Sequence, residues 1–215
     1  MRLTDWWSNP EWLAYEHAYG DAIGTRARLL ASAPWRTRVL DLRRDEATLW
    51  HDVRRSYHAI INKSNKDPTF ALARLGSSAF LTCCPDLHAR AAGRITRPWR
   101  TWELQAEWID RHAMAFIGLR DEKARPVMDA RFDPIGFIYV VIYGEWAYYF
   151  SGASIEPNVM HALQWRMIQQ LKALGVETYE LGWQGEATDE KGQGIEMFRR
   201  GFGGVDVPVR DEETT

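Results

Sequence analysis

Apolar residues along this chain follow two different spacings, and each change of spacing marks a predicted element. The apolar runs 135–143 and 146–151 are separated only by Gly144 and Glu145, which predicts two strands joined as an antiparallel hairpin. In 159–174 the apolar positions recur every three or four residues, as on one face of a helix. The other predicted elements are strands at 38–42, 69–75, 113–119, 176–181 and 205–209, and helices starting at Asn9-Pro10 and covering 46–66, 85–92, 101–112 and 194–200.

The order of these elements predicts an α/β fold with a mixed sheet, because helices precede a hairpin that is followed by a strand–helix–strand segment. Polar stretches at 121–133 and 182–190 predict loops. The longest apolar run, 137–150, is broken by Gly144 and Glu145 and is shorter than the ~20 residues that a membrane-spanning helix needs. We therefore expect a soluble protein without a transmembrane segment.

Composition narrows the class of protein and its compartment. The formal net charge of −2 argues against a molecule that binds nucleic acid over its whole surface. The two cysteines, Cys83 and Cys84, are adjacent, and neighbouring cysteines rarely meet the geometry of a disulfide. We see no cysteine cluster at metal-ligand spacing and no leader-like start, so we expect no metal and a cytoplasmic location.

Four motifs follow one another in the second half of the chain. They are Ala147–Ser154 with its Tyr-Tyr and Gly-Ala-Ser, a helix containing Trp165, the strand end Tyr179–Gly182 and the closing stretch Gly194–Gly204. In this order they resemble the C-terminal module of the Fem family, the aminoacyltransferases that build peptidoglycan cross-bridges, and the GNAT-type acyltransferases related to it. The basic helix 54–66 resembles the helix before that module, so the resemblance covers about residues 50–206.

The resemblance implies a GNAT-like fold, in which a mixed, mostly antiparallel sheet with splayed central strands is flanked by helices. It implies an acyltransferase domain, which we place at 46–210. We expect the Trp-rich N-terminal segment 1–45 to pack on this core, and the acidic, polar tail 211–215 to be disordered. The implied activity is N-acyl transfer from a thioester donor, expected to be acyl-CoA. The implied acceptor is an amine of a sugar, nucleotide-sugar or peptide precursor of the cell envelope.

Three features depart from the family pattern. The chain has room for one module where full Fem proteins carry two, and the lysine of the closing motif is Arg199 here. The loop 152–158 has a single glycine where GNAT enzymes carry a glycine-rich cradle for the pyrophosphate of coenzyme A. Two alternatives therefore stay open: aminoacyl-tRNA as the donor, which the basic face of helix 54–66 favours, and a non-catalytic binding module on the same fold.

The candidate catalytic residues have two roles. By the resemblance, Arg199 occupies the position of a cation that stabilises the transition state, and His161 and Glu180 are candidate proton acceptors. Arg94 and Arg97 precede Trp99 in a loop where guanidinium groups can bind phosphate or carboxylate, or pair with acids of the same domain. The other candidate substrate-binding residues are Tyr148, Tyr149, Ser151, Trp183 and Gln184, and the candidate cofactor-binding residues are Gly152 and Ser154.

Overall fold

The structure is a computed structural model that describes residues 9–19, 36–109, 111–121, 133–184 and 187–208. Most of the predicted loop 121–133, the predicted tail 211–215 and much of the Trp-rich segment lie outside the described residues. The helices are α1 (Pro10–Tyr19), α2 (Glu46–Asp52), α3 (Arg55–Lys66), α4 (Ser77–Ala92), α5 (Trp99–Ile109), α6 (Val159–Ala173) and α7 (Glu190–Arg200). The strands are β1 (Arg36–Asp41), β2 (Phe70–Leu75), β3 (Ala113–Arg120), β4 (Asp133–Tyr143), β5 (Trp146–Ser154), β6 (Thr178–Gln184) and β7 (Val205–Pro208).

The described strands form one sheet in the order β2–β3–β4–β5–β6–β1–β7. The pairs β2–β3, β3–β4, β6–β1 and β1–β7 are antiparallel, whereas β5 and β6 are parallel. The predicted class, a mixed and mostly antiparallel α/β sheet, is confirmed. The register of β5 with β6 contains three residue pairs and ends at Tyr148↔Glu180, although β5 continues to Ser154 and β6 to Gln184.

The chain divides into two compact units. The first unit contains residues 1–54, 142–149 and 171–215, and the second contains residues 55–141 and 150–170. Strands β4 and β5 and helix α6 contribute residues to both units.

In the first unit, β1 is an inner strand that pairs with β6 along one edge and with β7 along the other. The register with β6 shifts between Arg38 and Val39, so Leu181 is the extra residue of a bulge in β6. Gly204 has a φ of 79°, and an added Cβ there would lie 2.3 Å from the carbonyl oxygen of Val39. A glycine is therefore required for the turn after α7 to approach β1 this closely.

In the second unit, an aromatic cluster fixes α4 and α5 against the strands. The ring of Phe80 in α4 lies 5.9 Å from the ring of Trp102 in α5 and 5.1 Å from that of Tyr139 in β4. The Tyr139 hydroxyl donates a hydrogen bond to the carbonyl oxygen of Gln105 at 2.7 Å. The cluster thus combines a large buried apolar area with a satisfied polar group.

The predicted helix 46–66 is wrong in one respect, because the structure divides it into α2 and α3. Val53 is buried and has an extended backbone, which ends α2. The amide of Arg54 then donates to the carbonyl oxygen of Gly201 at 2.7 Å instead of continuing the helix. A distant backbone partner therefore interrupts a segment whose local pattern is helical throughout.

The predicted helix 85–92 starts too late. Helix α4 begins at Ser77, and Pro85 lies inside it. The sequence predicts a helix start at Pro85 because proline is favoured in the first turn of a helix. The fully buried Phe80 anchors the first half of α4, and such packing supplies most of the stability of helices in proteins.

Candidate active site

The first unit holds a buried carboxyl group on β6. Glu180 is 2% exposed, and Thr37 of β1 donates a hydrogen bond from Oγ1 to Glu180 Oε1 at 2.7 Å. The register pairs Val39 with Glu180 and Thr37 with Trp183. Residues two apart on a strand point to the same face. Thr37, Glu180 and Trp183 therefore share one face of the sheet.

Burial raises the pKa of Glu180 to about 7, because the carboxylate loses its hydration in the core. The Thr37 hydrogen bond and the positive charge of Arg199 both oppose this rise. The charged and neutral forms of Glu180 are therefore both populated at neutral pH. A carboxyl group of this kind can accept and release a proton at that pH, as a general base requires.

Arg199, in the last turn of α7, packs against the backbone of β6. Its Nη1 donates to the carbonyl oxygen of Trp183 at 2.7 Å. Gly182 has a φ of 100°, and a Cβ added there would lie 3.0 Å from Nη2 and 3.1 Å from Cζ of Arg199. The glycine thus provides both the bend in β6 and the space that the guanidinium fills.

Tyr149 is the second titratable side chain on which the charge of Arg199 acts. Burial raises the pKa of Tyr149, and the positive charge of Arg199 opposes that rise. Its neighbour Tyr148 is paired in register with Glu180. Because successive strand residues point to opposite faces, Tyr148 lies on the face of Glu180 and Tyr149 on the other.

Trp183 and Gln184, which the sequence predicts in a loop, belong to β6. Pairing with Arg36 and Thr37 of β1 extends the strand to include them. Gln184 is 2% exposed, and among the described residues neither its Oε1 nor its Nε2 has a hydrogen-bond partner. The Nε of Arg199 is buried and, within the same part of the chain, also lacks a hydrogen-bond acceptor.

Arg97 belongs to the second unit, where its contacts are internal. Its Nη2 donates to the Oγ of Ser151 at 2.8 Å, and its Cζ lies 4.1 Å from the ring centroid of Trp102. Arg94 and Trp99 are exposed. The Nε1 of Trp99 donates to Glu103 Oε1 at 3.0 Å. Of the three predicted loop residues, Trp99 is instead the first residue of α5. Ser151, predicted to bind substrate, is a hydrogen-bond partner of Arg97.

The segment between β5 and α6 differs from a phosphate cradle. Gly152 and Ser154, predicted in a loop, are the last part of β5, and the Ser154 hydroxyl donates to the carbonyl oxygen of Glu156. The carboxylate of Glu156 accepts a hydrogen bond from Arg120 Nη2 at 2.9 Å. Arg120 also binds Asp67 at 2.7 Å. A carboxylate held here is unfavourable for a bound pyrophosphate, since like charges repel.

His161 lies in the second unit, at the start of α6. Its ring centroid is 4.3 Å from that of Tyr57, and its Nδ1 is 3.2 Å from the carbonyl oxygen of Asn158. Burial lowers the pKa of His161, and the backbone contact with Asn158 opposes the decrease. The two candidate proton acceptors, Glu180 and His161, thus belong to different units. The predicted site residues in the first unit are Glu180, Arg199, Tyr148, Tyr149, Trp183 and Gln184.

Thr37, which donates a hydrogen bond to Glu180, is not indicated as a site residue by the sequence. The two residues are 143 positions apart, and they meet only because β1 pairs with β6. In the described ranges no group of three or more His, Cys, Asp or Glu side chains is placed to hold a metal ion. None of the helices in those ranges has the length and apolar character needed to cross a membrane.

The described strands form a mixed sheet with a parallel β5–β6 pair, and the fold is similar to those of several proteins of known structure. The chain is similar to FemX, with a TM-score of 0.65 and 15% identity over 81% of this chain and 60% of that one. It is also similar to L-PGS from Bacillus licheniformis, with a TM-score of 0.55 and 12% identity over 80% and 57% of the two chains. A third similar structure is the C-terminal domain of a putative lysylphosphatidylglycerol synthetase from Agrobacterium fabrum, with a TM-score of 0.53 and 12% identity over 83% and 61%.

These similarities establish the fold, and they confirm the predicted Fem resemblance at that level. This chain therefore spans only part of each similar protein: 60% of the length of FemX, 57% of L-PGS and 61% of the synthetase domain. The sequence matches no protein-family model and no curated protein.

Proposed function

We propose that this chain is an N-acyltransferase in which Glu180 accepts the proton of the attacking amine and Arg199 stabilises the oxyanion. The observation that carries the proposal is the buried Glu180 carboxyl, whose pKa of about 7 suits a general base. The fold shared with FemX supports acyl transfer as the reaction class. The Thr37 hydroxyl orients the Glu180 carboxylate.

The proposed reaction needs no covalent enzyme intermediate. The neutral amine nitrogen attacks the carbonyl carbon of a thioester and forms the new C–N bond. One proton leaves the nitrogen for the Glu180 carboxylate. The carbonyl oxygen becomes an oxyanion, which the positive charge of Arg199, a charge that also acts on Glu180, stabilises. The C–S bond then breaks, and the departing thiolate takes the proton back from Glu180.

The proposed donor is an acyl-CoA, and the proposed acceptor is an amine of an amino sugar, nucleotide-sugar or peptide of the cell envelope. Titration calorimetry with acetyl-CoA and longer acyl-CoAs tests the donor. Thiol release in the presence of amine acceptors tests the reaction. Turnover by the wild type that disappears in Glu180→Gln while the fold is retained supports the proposal. Absence of binding by every acyl-CoA eliminates this donor.

A second donor, aminoacyl-tRNA, is favoured by one face of α3. Arg55, Lys63 and Lys66 are all exposed there, which suits phosphate groups of RNA. The paired carboxylate of Glu156 is a further argument against a pyrophosphate after β5. A protein of similar fold is named a putative lysylphosphatidylglycerol synthetase, and this name indicates a product in which an amino acid is joined to an acceptor.

Charge reversal tests this second donor. Arg55→Glu combined with Lys63→Glu is expected to weaken tRNA binding and to flatten its dependence on salt, because fewer counterions are released. Arg74→Glu combined with Arg90→Glu, two exposed changes elsewhere in the same unit that alter the net charge by the same amount, is the matched control. Equal effects of the two changes contradict a specific role of α3.

A further inference from the structure

Two buried polar groups at the carboxyl end of β6 lack hydrogen-bond partners among the described residues. They are the side-chain amide of Gln184, which is 2% exposed, and the Nε of Arg199. Native proteins pair the large majority of their buried polar groups. A glutamine that has neither its donor nor its acceptor satisfied is therefore a strong indication of a ligand-binding position.

The register places the two groups on one face of β6. Gln184 pairs with Arg36 and Gly182 pairs with Arg38, and residues two apart on a strand share a face. The Arg199 guanidinium packs on this face at Gly182, with Nη2 3.0 Å from an added Cβ. Its Nη1 is occupied by the carbonyl oxygen of Trp183, whereas Nε is not occupied.

The chemistry of these groups selects the ligand. Gln184 offers two N–H donors and one carbonyl acceptor, and Arg199 Nε offers one more donor. A phosphate or carboxylate has only acceptors and would leave Gln184 Oε1 unsatisfied. In an extended segment with consecutive trans amides, the N–H of one amide and the carbonyl oxygen of the next point to the same side, as in a β-ladder, and together they satisfy both kinds of group.

We propose that the end of β6 is a binding site for an amide-containing segment of the substrate, which offers the N–H of one secondary amide and the carbonyl oxygen of the next. Gln184 Oε1 accepts a hydrogen bond from the ligand N–H, and Gln184 Nε2 and Arg199 Nε donate to the ligand carbonyl oxygen. The inference rests on the proposed acyl transfer and adds a substrate class to it. The amide has two possible sources, the pantetheine arm of an acyl-CoA or a peptide acceptor.

Gln184→Met tests the site, because methionine keeps the length of the side chain and removes its amide. The full chain is titrated with two ligands, acetyl-CoA and the blocked dipeptide N-acetyl-alanyl-alanine methylamide. The ligand whose amide occupies the site is expected to bind at least about tenfold more weakly to the variant, as the loss of hydrogen bonds at a buried site implies. The Tm of the ligand-free variant is expected to rise, because a buried unpaired amide has been removed.

Gln105→Met is the matched control. Gln105 is also fully buried and its Oε1 also lacks a partner among the described residues, but its Nε2 donates to the carbonyl oxygen of Thr101 at 3.0 Å and it lies in the second unit, away from β6. This variant is expected to bind both ligands with wild-type affinity. An ester analogue of the dipeptide, with oxygen in place of the central N–H, completes the test. It should bind the wild type more weakly than the dipeptide does, whereas Gln184→Met should bind the two equally.

The outcomes separate the two sources and the two proposals. A loss for acetyl-CoA assigns the amide to the donor, and a loss for the dipeptide assigns it to the acceptor. Unchanged affinity of Gln184→Met for both ligands, or binding of neither to the wild type, overturns the amide site. Acyl transfer by Gln184→Met with an unchanged KM refutes the amide site and supports the proposed function. Amide binding that depends on Gln184, without acyl transfer from any donor, supports the amide site and refutes the proposed function.

Discussion

One carboxyl group of the first unit, Glu180, and one of the second, Asp67, lie in opposite environments. In the first, Glu180 is buried beside the neutral hydroxyl of Thr37, and burial raises its pKa to about 7. In the second, hydrogen bonds from Thr69 and then from Arg120 lower the pKa of Asp67. A carboxylate paired with a cation is fixed in its charged form and serves as scaffold. A carboxyl group buried beside a neutral donor stays ready to exchange a proton.

The largest expected effect is on turnover. Glu180→Gln keeps the shape of the side chain and removes the proton acceptor, so acyl transfer is expected to fall ~10²–10⁴-fold, the usual contribution of a general base. Release of the thiol measures the rate, and circular dichroism checks the fold. Asp67→Asn, the corresponding change in the second unit, should keep the wild-type rate. Similar losses in the two variants would break the distinction between the units.

The next effect is the pH dependence of stability contributed by Glu180. Its folded pKa of about 7 lies above the ordinary value of 4.5, so its contribution to stability is fully present below pH 4.5 and is lost as the pH rises through 7. The loss amounts to about 3 kcal/mol in the free energy of unfolding. Glu180→Gln cannot ionise and should not show this decline. Urea unfolding at pH 4.5 and pH 8 measures the difference, and parallel curves for the two proteins would contradict it.

A smaller loss is expected for Gly182→Ala. The new Cβ would meet the Arg199 guanidinium, and the φ of 100° is unfavourable for alanine. We expect a loss of ~1–3 kcal/mol in the free energy of unfolding and a lower turnover as Arg199 shifts. Gly194→Ala in α7 is the control, because its Cβ meets nothing within 4 Å and its φ is not positive. Equal stabilities of the two variants would show that the contact at Gly182 is unimportant.

The smallest effect is the stability change of Asp67→Asn. The side chain of Asp67 is 30% exposed, so solvent weakens its pair with Arg120, and the expected loss at pH 7 is about 0.5–1 kcal/mol. Because the folded pKa is lowered, this stabilisation is present above the unfolded pKa and disappears as the pH falls through the folded value. Wild type and variant should therefore converge in acid. The stability contribution of Asp67 therefore increases with pH, whereas that of Glu180 decreases. A pH dependence of the same sign for the two residues would refute the comparison.

Local pattern was sufficient for much of the fold. The predicted helix 159–174 corresponds to Val159–Ala173, and the predicted hairpin corresponds to β4 and β5. In these segments the periodicity of apolar residues is strong and the ends are clearly marked, so the local sequence is sufficient to predict their secondary structure. The break between α2 and α3 has no such signal, because it depends on the hydrogen bond from Arg54 to Gly201.

The candidate site was partly predictable for the same reason. The ordered motifs of the sequence indicate Glu180 and Arg199, and the roles assigned to these two residues stay predictions. Thr37 was not named, since its hydrogen bond to Glu180 depends on strand pairing across 143 positions. The extension of β6 through Gly182 was also missed, because a glycine after a strand usually indicates a turn.

The inner position of β1 has a practical consequence for shortened forms of this protein. A fragment beginning at residue 46 would lack the strand that pairs with both β6 and β7. It would present the open edge of β6 to other molecules, which favours aggregation, and Glu180 would lose the Thr37 hydroxyl. Truncation at this boundary is therefore expected to give an insoluble product, whereas a second chain segment supplying residues 36–41 would complement it.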